Sequence, residues 1–214
     1  MKKNPLKWPL SFITGLSAIV IFWSFTLISM SFFPGYNPMN NWMSDLGSYS
    51  LNPKGAIFFN IGCIITGIFL FPFYIGLFEF YIGGRKNKRL TMLTQLAGIT
   101  AAFTIIMIGL FPLDQYPLLH GIWASVLFCV TLLAFFLPSI ALYKYDFTRT
   151  IAKYGFVATA VNILLFVFIF PIFEWITILF AFGFIALIIE SLNKRIDKLR
   201  FVRKNLTQVK KKKI

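Results

Sequence analysis

Long apolar runs alternate with short polar connections along the whole chain. A helix needs about 20 mostly apolar residues to cross a hydrocarbon layer of about 30 Å, and soluble helices rarely contain such a run. The pattern therefore predicts an all-α protein, a bundle of six membrane-spanning helices in a single domain over residues 1–214. The predicted spans cover approximately residues 9–33, 56–82, 90–111, 118–143, 154–170 and 173–192.

Phenylalanine-proline pairs follow three of these runs. Proline cannot continue a helix without losing a backbone hydrogen bond, so each pair is predicted to end its span. Because the first, third and fifth spans run in the same direction, the pairs should share one membrane surface. The last two spans must form a tight hairpin, since few residues separate them. The pairs are Phe33-Pro34, Phe111-Pro112 and Phe170-Pro171.

The composition agrees with a membrane protein and excludes other classes. Hydrophobic residues make up 58% of the chain and charged residues only 13%, whereas soluble domains carry about 25% charged residues. An aromatic content of 19% is equally foreign to disordered chains and to coiled coils. Cys63 and Cys129 lie at similar depths in the second and fourth spans, and the pattern leaves open whether they approach each other.

Positive charge is confined to one side of the predicted bundle. Of the 21 Lys and Arg residues, all but Lys54 fall before the first span, after the second, after the fourth or after the sixth. Cytoplasmic loops carry such an excess, so the chain is predicted to be a multi-pass protein of the cell membrane with both termini cytoplasmic. The net charge of +14 then needs no nucleic-acid partner. The basic tail, residues 193–214, is expected to meet anionic lipids of the inner leaflet or to act only as a topology anchor.

The first predicted outer connection, residues 34–55, is much longer than the other two on that side. Long ordered loops are usually functional. Asn37 followed by proline is typical of a helix start, and Gly47 is typical of a helix end. These signals predict a short surface helix over residues 38–46, in the first outer loop. The same start signal at Asn52 predicts the beginning of the second span.

Polar residues that are not simple anchors collect on the same predicted outer side. Asp45 falls late in the short helix, where a carboxylate opposes the helix dipole, so another group should hold it. Asp114 is expected to cap the fourth span or to join a site, and His120, the only histidine, follows it by about one to two turns. If the outer ends of the first four spans pack together, both residues converge with Ser44, Asp45 and Asn60 in a polar pocket.

This group of residues is compatible with two kinds of chemistry. In the first, His120 is a base that activates Ser44 or a water molecule, and Asp114 or Asp45 orients its ring. In the second, Asp45, Asp114 and His120 hold a divalent metal ion beside a lipid headgroup. Neither has a diagnostic spacing, and no other cofactor is expected.

Three stretches of the chain carry a resemblance to a known family. They are Asn41–Gly47, Phe59–Gly62 with Gly67 a turn later, and Gly109–Asp114 with His120. Over about the first four spans, the chain resembles an uncharacterised prokaryotic membrane family, domain of unknown function 998. The resemblance implies a six-span protein without an assigned activity. It singles out Ser44, Asp45, Gly47, Asn60, Asp114 and His120.

The same pattern is also similar to the intramembrane ceramidase-like hydrolases. Those enzymes use a serine, an aspartate and three histidines around zinc. No residue is carried over from them, because this chain contains a single histidine.

The residues thus favour an integral membrane protein of unassigned activity, whose outward-facing polar pocket binds a lipid headgroup or another amphiphile. Membrane lipid is the expected partner, and the oligomeric state is left open. The alternative is an outer-leaflet hydrolase or transferase that uses the histidine with the aspartates. The candidate ligand-binding residues are Asn60, Trp42, Asn41 and Gly47, and the candidate catalytic residues are His120, Asp114, Ser44 and Asp45.

Overall fold

The computed structural model describes residues 9–80 and 84–211, and within these ranges the chain is all-α, as predicted. Six helices are long and apolar enough to cross a membrane, and α6 meets this criterion over Pro171–Lys194. Lys2, Lys3, Lys7 and the predicted end of the second span at Ile82 lie outside the described residues. The helices are α1 Leu10–Ser31, α2 Ala56–Gly76, α3 Arg85–Leu110, α4 Pro117–Tyr143, α5 Arg149–Phe168 and α6 Pro171–Lys211. Short 3-10 helices cover Met43–Gly47, Leu77–Phe80 and Asp146–Thr148.

Several helices extend beyond the predicted spans where the chain becomes basic. α3 begins at Arg85 and α5 at Arg149, each five residues before its predicted span. α6 continues to Lys211, so most of the predicted tail is a continuation of the last helix. Lys and Arg are good helix formers, and a helix therefore continues past the apolar run that marks the span.

Two of the three phenylalanine-proline pairs end their helices as predicted. α1 and α3 end within two residues of their pairs, at Ser31 and Leu110. The third pair acts differently, because α5 already ends at Phe168 and Pro171 is the first residue of α6. Between them Ile169 adopts the left-handed conformation, with φ of 49°, and turns the chain. Proline is favoured at a helix start, where its missing N–H has no helical partner to lose.

The helices form a closed ring. Each one packs against the next in chain order, and α6 packs back against α1. Glycines allow α2 and α3 to approach closely: a Cβ at Gly67 would lie 2.6 Å from the carbonyl oxygen of Ala102, and one at Gly109 would lie 2.5 Å from that of Asn60. Short connections make neighbouring helices antiparallel, so the ring has a loop end, which carries residues 32–55, and a basic end opposite.

The connection between α1 and α2, residues 32–55, is called the long loop below. The predicted surface helix over residues 38–46 is not continuous, because only residues from Met43 onward are helical. Asn37 closes a turn instead, because its Oδ1 accepts a hydrogen bond from Met39 N–H at 3.0 Å, and such side-chain bonds compete with helix formation. A 3-10 helix follows at Met43–Gly47. Its Met43 and Leu46 side chains are completely buried, and the 3-10 helix packs against α1, α2 and α6.

Candidate functional site

A cavity of about 80 Å³ lies inside the ring, beneath the long loop. From Ser44 in the long loop it extends to Leu70, which lies roughly 21 Å along α2 from its first residue at 1.5 Å per residue. Free Cys63 faces this cavity, whereas free Cys129 is exposed on the outside of α4. The apolar walls come from five of the six helices and include Phe22, Phe59, Ile105, Phe135 and Phe182.

Four polar side chains line the loop end of this cavity. Ser44 belongs to the 3-10 helix of the long loop, and His120 lies in the first turn of α4. Glu174 lies in the first turn of α6, and Thr177 follows it one turn later. His120 and Glu174 are buried, with 4% and 8% of their surface exposed. The cavity is therefore polar at its loop end and mostly apolar along its length, where Tyr74 and Thr131 are the polar lining residues.

The ring of His120 is held by a backbone carbonyl. Its Nδ1 lies 2.8 Å from the carbonyl oxygen of Phe111. A carbonyl only accepts, so Nδ1 carries a proton and donates it, which leaves Nε2 as an acceptor in the neutral ring. Nε2 makes no hydrogen bond to the residues that the structure describes. Asp114, predicted to orient this ring, is exposed and accepts a hydrogen bond from Ser50 N–H at 2.9 Å instead.

Glu174 joins α6 to the long loop and was absent from the predicted site. Its Oε2 accepts a hydrogen bond from Met43 N–H at 2.6 Å, and the backbone N–H of Ser44 also donates to its carboxyl group. A signal was present in the sequence, because an acidic residue within an apolar span is costly and usually has a specific partner. The partner was not predictable, since Met43 lies 131 residues away along the chain.

Asp45 caps the 3-10 helix to which it belongs. Its Oδ2 accepts a hydrogen bond from Trp42 N–H at 2.9 Å. The helix begins at Met43, so Asp45 lies in its first turn, where a carboxylate is favourable to the dipole. The predicted conflict with the dipole therefore does not arise. Burial raises the pKa of the Asp45 carboxyl above its ordinary value, although hydrogen bonds from Trp42 and Asn41 and the attraction of His120 oppose the shift.

The loop end has acidic groups and no nearby Lys or Arg. Asp45 lies close enough to both Glu174 and His120 for electrostatic interaction. No Lys or Arg lines the cavity, and neither acid forms an ion pair with those residues in the described part of the chain. Lys54 in the long loop is exposed. The site is thus rich in hydrogen-bond acceptors.

The predicted ligand-binding residues fasten the long loop and do not line the cavity. Asn60 Nδ2 donates to the carbonyl oxygen of Gly47 at 3.0 Å, and a Cβ at Gly47 would overlap the Asn60 side chain. The carbonyl oxygen of Trp42 accepts a hydrogen bond from the Tyr36 hydroxyl at 2.9 Å. Asn41 Oδ1 accepts a hydrogen bond from Asn37 N–H, and the amide NH2 of Asn41 donates one to the carboxyl group of Asp45.

A second connection to α6 involves two aromatic residues that the sequence analysis did not single out. Trp175 Nε1 donates a hydrogen bond to the hydroxyl oxygen of Tyr36 at 2.9 Å, and the two rings pack with their centroids 5.9 Å apart. Burial raises the pKa of the Tyr36 hydroxyl, which therefore stays protonated and donates to the long loop.

Asn52 joins three elements at the loop end. Its Oδ1 accepts a hydrogen bond from Gly55 N–H at 3.1 Å just before α2, in keeping with the predicted start signal. Its Nδ2 lies 3.1 Å from the carbonyl oxygens of both Ser29 in α1 and Leu46 in the 3-10 helix. The side chain is completely buried. This linking role goes beyond the predicted cap.

The predicted metal alternative finds no support in the geometry. Within residues 9–80 and 84–211, no three His, Cys, Asp or Glu side chains are placed so that they could hold a metal ion together. Asp114 bonds the loop backbone, and His120 uses one nitrogen for the Phe111 carbonyl.

Within the part of the chain that the structure describes, six helices are long enough to cross a bilayer and define a multi-pass membrane protein. Residues 16–191 match the family described as "Protein of unknown function (DUF998)", and the chain belongs to that family. The match confirms the resemblance seen in the motifs and extends it through most of the apolar part of α6. No curated protein and no solved structure matches the chain significantly.

Proposed function

We propose that the central cavity binds the apolar chain of a lipid or another amphiphile, with its head group at the loop end. The observation that carries this proposal is the division within a single cavity, which is mostly apolar over roughly 20 Å and has a cluster of polar groups at Ser44, His120 and Glu174. An amphiphile is divided in the same way, into an apolar chain and a polar head group. Burial of its chain contributes about 25 cal/mol per Å² of apolar surface where water is displaced.

Filling the cavity with a larger side chain is expected to expel the ligand. Ala124 of α4 and Ala181 of α6 line the cavity, so Ala124→Phe and Ala181→Phe should each reduce the lipid that copurifies by about tenfold. Ala160→Phe is the matched control, because Ala160 is exposed on α5, which does not line the cavity. Native mass spectrometry and extraction measure the retained lipid. Equal retention in all three variants contradicts the proposal.

A hydrolase or transferase acting in the same cavity is the second candidate function. The observation that favours it is the free Nε2 of His120, which lines the cavity together with Ser44. In an enzyme of this kind, the carbonyl group of Phe111 orients the His120 ring and so has the role that was predicted for Asp114 or Asp45. The retained lipid distinguishes the two functions. Recovery of the intact lipid after incubation supports binding, and a cleaved or transferred product supports an enzyme.

We also propose that the long loop faces the outside of the cell membrane and that both termini are cytoplasmic. The support is the charge asymmetry, since the connections at the basic end carry clusters of Lys and Arg and the long loop carries only Lys54. The basic end then faces the anionic lipids of the inner leaflet.

Labelling in intact cells tests this orientation. Met39 is 63% exposed in the long loop, and Lys144 is exposed at the basic end. A membrane-impermeant maleimide should label Met39→Cys in intact cells and should label Lys144→Cys only after permeabilisation. The unsubstituted chain, with Cys63 buried and Cys129 within the apolar span of α4, provides the background. The reversed labelling pattern would place the basic end outside.

A further inference from the structure

We propose that the head group of the bound amphiphile is a primary ammonium group. This inference rests on the proposed function of the cavity and adds the chemical class of its ligand. The loop end presents hydrogen-bond acceptors from four residues, which are the carboxyl group of Glu174, the hydroxyl groups of Ser44 and Thr177, and Nε2 of His120. A primary ammonium group has three N–H donors and a positive charge, so it satisfies several of these acceptors at once.

The Thr177 hydroxyl points to a missing ligand. Only 1% of this residue is exposed, its Oγ1 has no hydrogen-bond partner, and it lines the cavity one turn from Glu174. Several other helical threonines in this chain donate to the carbonyl four residues earlier. Thr14, Thr94 and Thr159 form such bonds at 2.9, 2.8 and 2.8 Å. A buried hydroxyl without a partner has lost its hydrogen bonds to water without replacement, and a polar ligand group in the cavity supplies the missing bond.

The charges around the cavity favour a cation over an anion. Glu174 faces the cavity, and Asp45 is a second acid close enough for electrostatic interaction with it. His120 is the one basic side chain among the lining residues. A phosphate head group would therefore meet a carboxyl group without a Lys or Arg to compensate for it, whereas an ammonium group forms a charge-assisted hydrogen bond there.

A series of probes with one common chain isolates the effect of the head group. Dodecylammonium, dodecanol and dodecyl phosphate are titrated into the full-length protein in a neutral detergent, and Kd values are obtained from ligand-induced thermal stabilisation. Dodecylammonium is expected to bind at least tenfold more tightly than the other two. Lysophosphatidylethanolamine and lysophosphatidylcholine then distinguish the source of the ammonium group. Preference for the ethanolamine lipid identifies a zwitterionic phospholipid, and binding of dodecylammonium alone identifies a free alkylamine.

Two variants assign the preference to named groups. Glu174→Gln keeps an acceptor oxygen for Met43 N–H, removes the charge, and should weaken dodecylammonium binding by about tenfold with little effect on dodecanol. Thr177→Val removes a hydroxyl that has no internal partner, so the fold should be retained while dodecylammonium binds several-fold more weakly. Thr66→Val is the matched control, because Thr66 is equally buried and unpartnered but does not line the cavity.

The outcomes separate this inference from the proposed function. Equal Kd values for the three dodecyl probes overturn the ammonium assignment and leave chain binding in place. An ammonium preference that survives in both Glu174→Gln and Thr177→Val also overturns the assignment. If no probe binds and no lipid copurifies, the proposed function itself fails. Loss of the preference in Thr177→Val but not in Thr66→Val supports the assignment even if Glu174→Gln does not fold.

Discussion

Replacing Asn52 with alanine is expected to lower the free energy of unfolding by about 3 kcal/mol, because the change removes three buried hydrogen bonds to the backbone that each contribute about 1 kcal/mol. The Asn52 amide bonds Gly55 N–H before α2 and the Ser29 and Leu46 carbonyl oxygens in α1 and the 3-10 helix. The whole residue is buried, so water does not replace these bonds. The long loop should then detach from the ring, with loss of the retained lipid. Unfolding of the purified protein in detergent measures the change.

Asn40→Ala provides the control for this variant. Asn40 lies in the same long loop and is exposed, and its side chain makes no hydrogen bond with the residues that the structure describes. Its replacement should change the free energy of unfolding by less than about 0.5 kcal/mol. Similar effects of the two substitutions would show that Asn52 acts only as a solvated helix cap.

The second large effect is expected at the contact between α2 and α3. A Cβ at Gly109 would lie 2.5 Å from the backbone carbonyl oxygen of Asn60 and 2.9 Å from Cγ1 of Ile64. Backbone atoms cannot rotate away, so Gly109→Ala must push the two helices apart. We expect a loss of about 2–3 kcal/mol in the free energy of unfolding, since overpacking of a tight contact has this cost. The same detergent unfolding experiment measures it.

Gly121→Ala is the matched control for the close contact. A Cβ at Gly121 meets no atom within 4 Å, so this substitution adds a good helix former without a clash. It should leave stability unchanged or raise it by up to about 1 kcal/mol. If Gly109→Ala behaved like Gly121→Ala, the close approach of α2 and α3 would not be required for the fold.

The six helices were predictable because the signal is local. An apolar run of membrane length identifies a span without reference to the rest of the chain, and the phenylalanine-proline pairs mark where α1 and α3 end. The predicted starts of α3 and α5 were less accurate, because a basic helical turn and a basic loop have the same composition. The first outer loop was misjudged for a related reason. Asn37 begins a turn that its own side chain closes, and a cap signal does not distinguish such a turn from a helix.

The candidate site was predicted in part. Ser44 and His120 line the cavity, and Asp45 lies close enough to interact with His120. Glu174 and Trp175 were not predicted as partners of the long loop, because their contacts join positions 131 and 139 residues apart. A single sequence carries no signal for such pairs. For Asp114, the sequence predicted only a polar side chain near the fourth span. Its hydrogen-bond partner could not be predicted, because that partner is a backbone N–H and not a side chain.

The closure of the ring by α1 and α6 determines when during biosynthesis the cavity comes into existence. α6 closes the ring and carries the Glu174 carboxyl group and the Trp175 indole that hold the long loop. A nascent chain with only α1 to α5 inserted would have an open side toward the surrounding lipid. If the cavity takes up an amphiphile as proposed, the ligand is enclosed when α6 docks, and a chain truncated before Pro171 should be inserted but retain no lipid.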